Sequence, residues 1–140
     1  MDQEKKRKRI DHIVQEIFEL DEPAIDKKRA DEMRSMLASA INGDEIEEYL
    51  VINLDNDAVV YIVTNYRVIT LKIDSNKIHS EIYALSDIVK IEIEKLAAED
   101  RIETSVTFHD NTTIGLNYPA DDTKASKFFQ TIDKLRVIKK

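Results

Sequence analysis

The stretch that decides the fold class is AVVYIVTNYRVITLKI, residues 58–73. Its first half, residues 58–64, is apolar almost throughout, so periodicity alone does not separate a strand from a buried helix, but its short length and β-branching favour a strand. In the second half Ile69, Leu71 and Ile73 alternate with polar residues, which is the period of a strand with one buried face. The two halves therefore predict a hairpin that turns at Asn65, a residue type that adopts positive φ at little cost.

The same period of two continues on both sides of this hairpin, with turn residues at 74–77 and at 110–111. Three further alternating sets are expected to face one core: Val89/Ile91/Ile93, Thr104/Val106/Phe108 and Ile114/Leu116/Tyr118. The pattern predicts an antiparallel meander of seven strands, at 45–54, 57–63, 67–73, 78–84, 88–95, 102–108 and 112–118.

Helical periodicity appears before and after the strands. An apolar stripe at i, i+3, i+4, i+7 and i+8 predicts a first helix at 10–20 and forms the candidate interaction face, Ile10, Ile13, Val14, Ile17 and Phe18. A second helix is expected from Pro23 to about Ile41, ending at Asn42-Gly43, with a sparser apolar face: Ile25, Met33, Leu37 and Ala40. Because such a pair cannot hide two apolar faces alone, we expect this arm, residues 1–42, to pack on its own sheet or on another copy of the chain.

A final helix is expected to begin at Asp121 or Asp122, either of which can cap it. It carries an apolar face and cations at the negative end of its dipole: Ala125, Phe128, Phe129, Ile132 and Leu135, then Lys134, Arg136, Lys139 and Lys140.

Length and composition bound the class of protein. The 140 residues, with 28 acidic and 21 basic side chains and no cysteine, suit one folded domain plus an arm and exclude a disulfide framework or a thiolate site. No apolar run is long enough for a membrane span or a signal peptide, so the expected location is cytoplasmic. Residues 41–60 carry six acidic side chains and no basic one, which opposes binding to polyanions such as nucleic acid by the body of the chain.

The motifs of catalysis and cofactor binding are missing from the sequence. Only Gly43 and Gly115 are glycines, so no glycine-rich phosphate cradle is available, and there is no G-x-S-x-G elbow. Asp55-Asn56-Asp57 lacks the glycine and the glutamate that a calcium loop requires. The three histidines, His12, His79 and His109, lie far apart; exposed positions are expected for His79 and His109, and a metal site assembled from them in space stays open. We predict no catalytic, cofactor-binding or metal-binding residues, no cofactor and no enzyme.

A basic run precedes the first apolar stripe: Lys5, Lys6, Arg7, Lys8 and Arg9. It is the candidate contact for anionic lipid, and peripheral membrane attachment is the alternative function. A mobile solvated tail is the favoured interpretation, because cations are unfavourable at the positive end of a helix dipole. No aromatic side chain interleaves with the run, which argues against nucleic acid.

Two stretches carry a family resemblance. The segment 63–69, VTNYRVI, resembles the V-T-N-x-R-hydrophobic turn of bacterial pleckstrin-homology-like domains, and residues 84–93, with Asp87-Ile88, are similar to the entry into that family's next strand. The resemblance covers about residues 44–140. It implies an α+β fold: a PH-like barrel or sandwich of about seven antiparallel strands capped by a C-terminal helix, here preceded by the helical arm.

The same resemblance implies a non-catalytic scaffold whose ligand is undefined, and some relatives assemble as rings of like subunits. Phosphoinositide-binding PH domains present Lys or Arg between the first two strands, whereas residues 53–57 here read NLDND and would repel a phosphate. Thr64, Asn65 and Arg67 are expected to act structurally, with Asp87 as a candidate partner for Arg67. The sequence therefore predicts a module that binds a protein partner or associates with itself. Its small-molecule ligand, if it has one, is unknown.

Overall fold

The computed structural model describes residues 3–19, 27–41, 43–54, 57–74, 77–96 and 98–138. Several expectations fall outside these residues: the start of the second helix at Pro23, the apolar Ile25, the terminal Lys139 and Lys140, and the loop residues Asn42, Asp55 and Asn56.

Within the described residues the order is two helices, seven strands and a C-terminal helix. The predicted α+β class with seven antiparallel strands is confirmed there, and the strand limits agree with the sequence pattern to about one residue. The elements are α1 Gln3–Phe18, α2 Lys27–Ala40, β1 Ile46–Leu54, β2 Asp57–Thr64, β3 Arg67–Ile73, β4 Ile78–Ala84, β5 Ile88–Leu96, β6 Arg101–Phe108, β7 Thr113–Pro119 and α3 Thr123–Ile138.

The chain divides into two compact units, residues 1–82 and 83–140. In the first unit the strands form a sheet in the order β1-β2-β3-β4. Its central strand β2 is buried at almost every position with a described side chain, as expected for a strand that reads apolar throughout. Helices α1 and α2 belong to this unit and join one apolar cluster with the sheet, made of Ile10, Ile13, Val14, Ile17, Ala30, Met33, Leu37, Ile41, Ile46, Ala58, Val60, Ile62, Ile69, Leu71 and Ile73.

The connection from α2 to β1 depends on Gly43. Its φ of +84° lies in the left-handed region that side chains with a Cβ avoid, which suits the residue that follows a helix end. The amide of Asp44 then donates to the carbonyl of Ile41 at 3.0 Å, which closes the turn. The predicted helix stop is confirmed, and the turn delivers Asp44 to the start of β1.

The second unit is the sheet β5-β6-β7 with α3. Asn111 turns the β6–β7 hairpin at φ 68°, and Asp110 accepts the amide of Thr112 at 2.9 Å, so the predicted turn at 110–111 is confirmed. Asp122 caps α3 by accepting the amide of Ala125 at 3.0 Å. The predicted inner face of α3 is buried at Ala125, Phe128, Phe129 and Ile132.

Candidate functional site

The turn motif Thr64, Asn65 and Arg67 forms a hydrogen-bond network with Asp44 and Glu45, and we call this network the clasp. The buried hydroxyl of Thr64 accepts the amide of Arg67 at 2.9 Å and donates to Asp44 Oδ2 at 2.9 Å. Arg67 Nε donates to the same oxygen at 2.8 Å. Asn65 exchanges two bonds with Glu45, each 3.0 Å long: its amide donates to the Glu45 carbonyl, and its Oδ1 accepts the Glu45 amide. The motif therefore ties the β2–β3 turn to the start of β1.

Two details of this motif differ from the sequence-based expectation. The partner of Arg67 is Asp44 rather than Asp87, because Gly43 turns the chain so that Asp44 meets the β2–β3 hairpin. The positive φ expected at Asn65 is wrong: in the part of the chain that the structure describes, the non-glycine residues with positive φ are Asp100 and Asn111. Asn65 acts through its side-chain carbonyl instead, which completes the same turn without left-handed backbone.

The candidate interaction face on α1 lies inside the first unit. Ile10, Ile13, Val14 and Ile17 are buried, and Phe18 packs partly buried against the same cluster. Of the two arrangements that the sequence left open for this face, packing against the chain's own sheet is the one present. Within one chain these side chains therefore belong to the core.

The basic run lies in the first turns of α1, so the expectation of a mobile solvated tail is wrong. Lys6 is buried, and Arg9 donates to the carbonyls of Ile46 at 3.3 Å and Glu47 at 2.9 Å. Lys5, which is exposed, lies 3.9 Å from Glu45. Arg7 and Lys8 also remain exposed on the helix. The acidic start of β1 holds this end of the helix, which offsets its unfavourable dipole.

Arg9 and Glu16 converge on the Tyr49 side chain of β1. The Tyr49 hydroxyl donates to Glu16 Oε1 at 2.9 Å, and the Arg9 guanidinium lies 5.8 Å from the ring centre. Burial, and then the hydrogen bond to Glu16, raise the pKa of Tyr49 to about 12. The hydrogen bond from Tyr49 to Glu16 and the contact of Arg9 with the ring tie α1 to β1.

The other candidate groups stay apart. His79 contacts Glu81 at 3.3 Å at an exposed position, and His109 is exposed beyond β6. Among the described residues, no three histidine or carboxylate side chains converge on a metal-sized site. None of the helices in the described ranges is long and apolar enough to cross a membrane.

A groove in the second unit runs between β5 and α3, and we call it the β5–α3 groove. It encloses about 350 Å³. Its apolar wall is Ile91, Ile93, Ile102, Tyr118 and Phe129. Its polar wall on α3 is Ser126, Gln130, Asp133 and Arg136, where Arg136 donates to Asp133 at 3.0 Å. Helix α3 thus covers the β6 and β7 part of the sheet face and leaves the β5 part open.

The open part of this face corrects the prediction that Val89, Ile91 and Ile93 all face a core. Val89 is 48% exposed and Ile93 is 68% exposed, while Ile91 is half-buried. Val89 is the extra residue of a bulge between Ile88 and Lys90, so it leaves the alternation. Ile91 and Ile93 do lie opposite Val106 and Thr104 on the apolar face, but Ile93 is left uncovered by the described residues of the second unit.

The β5–α3 groove was not identified from the sequence. The alternation of β5 predicted correctly that Ile91 and Ile93 share a face, but the extent of α3 over that face is a tertiary property. One signal in the sequence did indicate an edge strand. Strand β5 has more charged residues than the other strands of the second sheet, which is typical of an edge: Lys90, Glu92, Glu94 and Lys95.

Comparison of the chain with models of protein families, with curated proteins and with solved structures finds no match. The resemblance to bacterial PH-like domains therefore stays a prediction.

Proposed function

We propose that the chain is a non-catalytic assembly module, of the bacterial PH-like type and cytoplasmic, that associates with a second copy of itself along β5. The observation that carries this proposal is the exposed Ile93, beside the β5–α3 groove, on the outer strand of a three-stranded sheet. An edge strand with apolar side chains offers unpaired backbone groups and apolar area together, and both favour pairing with another strand.

Helix α1 offers no competing apolar surface. The apolar face of α1 belongs to the core of the first unit, so a membrane or a partner helix would meet the polar side of α1. The membrane alternative would depend on Lys5, Arg7 and Lys8 without the apolar residues behind them, and exposed cations alone give weak, salt-sensitive attraction. We therefore propose no membrane role.

The test is the solution mass of the full chain over a range of concentrations, from about 1 µM to about 1 mM, by sedimentation. We expect reversible dimers that dissociate on dilution. Ile93→Lys is expected to shift the mass to that of a monomer without loss of secondary structure, because Ile93 is 68% exposed. The matched control is Ile82→Lys, since Ile82 is 45% exposed on the outer strand β4 of the other sheet.

Two outcomes would contradict the proposal. A chain that stays monomeric over the whole range has no self-assembly function. A dimer that survives Ile93→Lys and dissociates with Ile82→Lys assembles through β4, which would exclude β5.

A further inference from the structure

Over residues 90–94 the two faces of β5 differ in chemistry, and this difference ends at Lys95, which lies on the face of Ile91 and Ile93. The pairing with β6 places Lys90, Glu92 and Glu94 on one face and Ile91 and Ile93 on the other. Lys90 and Glu92 form an ion pair at 3.0 Å on the charged face. When two strands pair antiparallel, directly opposed residues share a face, so each face of β5 would meet the same face of its copy.

This geometry limits how two copies of β5 can pair about a twofold axis. An axis between two residues would oppose a charged position to an apolar one, because the faces alternate at every residue. The axis must therefore pass through a residue, and the positions that place an apolar residue of the copy's β5 opposite Ile93 are Ile91, Glu92 and Ile93.

Charge and backbone regularity select among these three axes. An axis at Ile93 opposes Glu92 to Glu94 twice, which is repulsive. An axis at Ile91 sets the bulged Val89 opposite Ile93, where the ladder of hydrogen bonds is interrupted. An axis at Glu92 uses only residues 90–94, which are free of the bulge.

The axis at Glu92 also gives the best side-chain pairs. It opposes Lys90 to Glu94 twice, with opposite charges, and Ile91 to Ile93 twice, which covers both exposed Ile93 side chains. Its one unfavourable pair is Glu92 with Glu92 on the axis, and each of these carboxylates already has Lys90 beside it at 3.0 Å.

We infer that two copies join antiparallel along residues 90–94 of β5, with Glu92 on the twofold axis, so that the two three-stranded sheets become one of six strands. This inference rests on the proposed function and adds the partner strand and the register. The charged face selects the register, and the apolar face supplies the area removed from water.

Charge variants test the register through the dissociation constant of the dimer. Lys90→Glu turns two attractive pairs into repulsive ones and is expected to weaken the dimer about tenfold or more, as is Glu94→Lys. The double variant Lys90→Glu/Glu94→Lys restores opposite charges and is expected to recover most of the affinity. Lys95→Glu is the matched control, because Lys95 is exposed on the same strand and would face the bulged Val89 rather than a charge.

Glu92 separates this register from the one centred on Ile91. Glu92→Gln removes the repulsive pair on the axis, so we expect dimerisation about two- to fivefold tighter. If the axis were at Ile91, Glu92 would face Lys90 of the copy and the same variant would weaken the dimer.

A cysteine placed on the axis gives a geometric test, because the chain contains no cysteine. Opposed residues of an antiparallel pair have Cα atoms about 4.5–5.5 Å apart, within the range of a disulfide. Glu92→Cys is therefore expected to form a covalent dimer under mild oxidation. Lys90→Cys is the control, because its two copies would be about 13 Å apart along the strands.

The outcomes separate the register from the function. Dimers whose affinity is unchanged by Lys90→Glu and by Glu94→Lys, or which cross-link faster at position 90 than at 92, would overturn the register and leave self-assembly in place. A monomeric chain would overturn both. Weaker dimers for both single variants, recovery in the double variant and a cross-link at 92 would support the inference.

Discussion

The hydroxyl of Thr64 is the centre of the clasp, and Thr64→Val is the perturbation that removes it with little change of shape. Thr64 is fully buried, and its oxygen accepts the amide of Arg67 at 2.9 Å while its proton goes to Asp44 at 2.9 Å. The amide of Tyr66 at 3.2 Å and the carbonyl of Arg67 at 3.3 Å are its two longer contacts. Valine keeps the volume and offers none of these bonds.

The loss of stability in Thr64→Val can be calculated approximately from these contacts. A hydrogen bond to a charged carboxylate contributes about 1.5–3 kcal/mol, and an amide left unpaired inside the protein costs about 1–3 kcal/mol. The bond from the Tyr66 amide is the longer one, at 3.2 Å, so its loss adds little. The free energy of unfolding should therefore fall by about 3–5 kcal/mol in Thr64→Val. Thr64→Ser keeps the hydroxyl and loses one methyl group, which should cost about 1 kcal/mol.

Urea unfolding followed by circular dichroism measures these differences, and hydrogen exchange of peptides from β2 and β3 locates them in the first unit. Thr113→Val on β7 is the control, because Thr113 is exposed and its change should stay within about 0.5 kcal/mol. The reasoning is refuted if Thr64→Ser destabilises the chain as much as Thr64→Val, since packing rather than hydrogen bonding would then hold the turn.

Three further predictions concern the helices and one phenol. Ile13→Ala should lower the free energy of unfolding by about 2–5 kcal/mol in urea titrations, because Ile13 is fully buried between α1 and the rest of the first unit. A loss below about 1 kcal/mol would mean that the apolar face of α1 is in solvent. Asp122→Ala should lower the free energy of unfolding by about 1 kcal/mol, because it removes the cap of α3. Asp122→Asn should keep most of the stability that the cap provides, and equal losses in the two variants would exclude the cap. Because the pKa of Tyr49 is raised to about 12, the stabilisation from its neutral hydroxyl is complete below the unfolded pKa near 10 and is lost as pH rises from about 10 through 12. Tyr49→Phe should therefore remove one phenol that ionises near pH 12 from an ultraviolet titration of the folded chain, and an unchanged titration curve in that range would contradict this.

Local patterns predicted the elements of this fold because each carries its own signal. Ile69, Leu71 and Ile73 alternate, and all three are buried. Gly43 marks the end of α2 because only its backbone tolerates φ near +84° at low cost. These inferences needed no knowledge of distant residues.

Apart from the backbone of Asn65 and the bulge at Val89, the errors concern contacts between residues far apart in the chain. Arg67 reaches Asp44, which is 23 positions away, and also donates to the carbonyl of Ala40 at 2.6 Å. Helix α1 begins before its apolar stripe because Arg9 finds the carbonyls of β1 and Lys6 is buried. Charge repulsion at a helix start is a local argument, and the acidic β1 beside it outweighed that argument.

Strand β5 shows most clearly what the alternation of residues cannot predict. Alternation establishes that Ile91 and Ile93 share a face, but the same alternation would arise whether that face met a helix of the same chain or a second protein molecule. The charged face bears on that choice under the proposed pairing, because Lys90 and Glu94 lie at equal distances from Glu92 and would each face an opposite charge of the copy. Under the proposed pairing, the arrangement of charges on β5 constrains the partner, and the half-covered apolar face beside it is the surface that such a partner would complete.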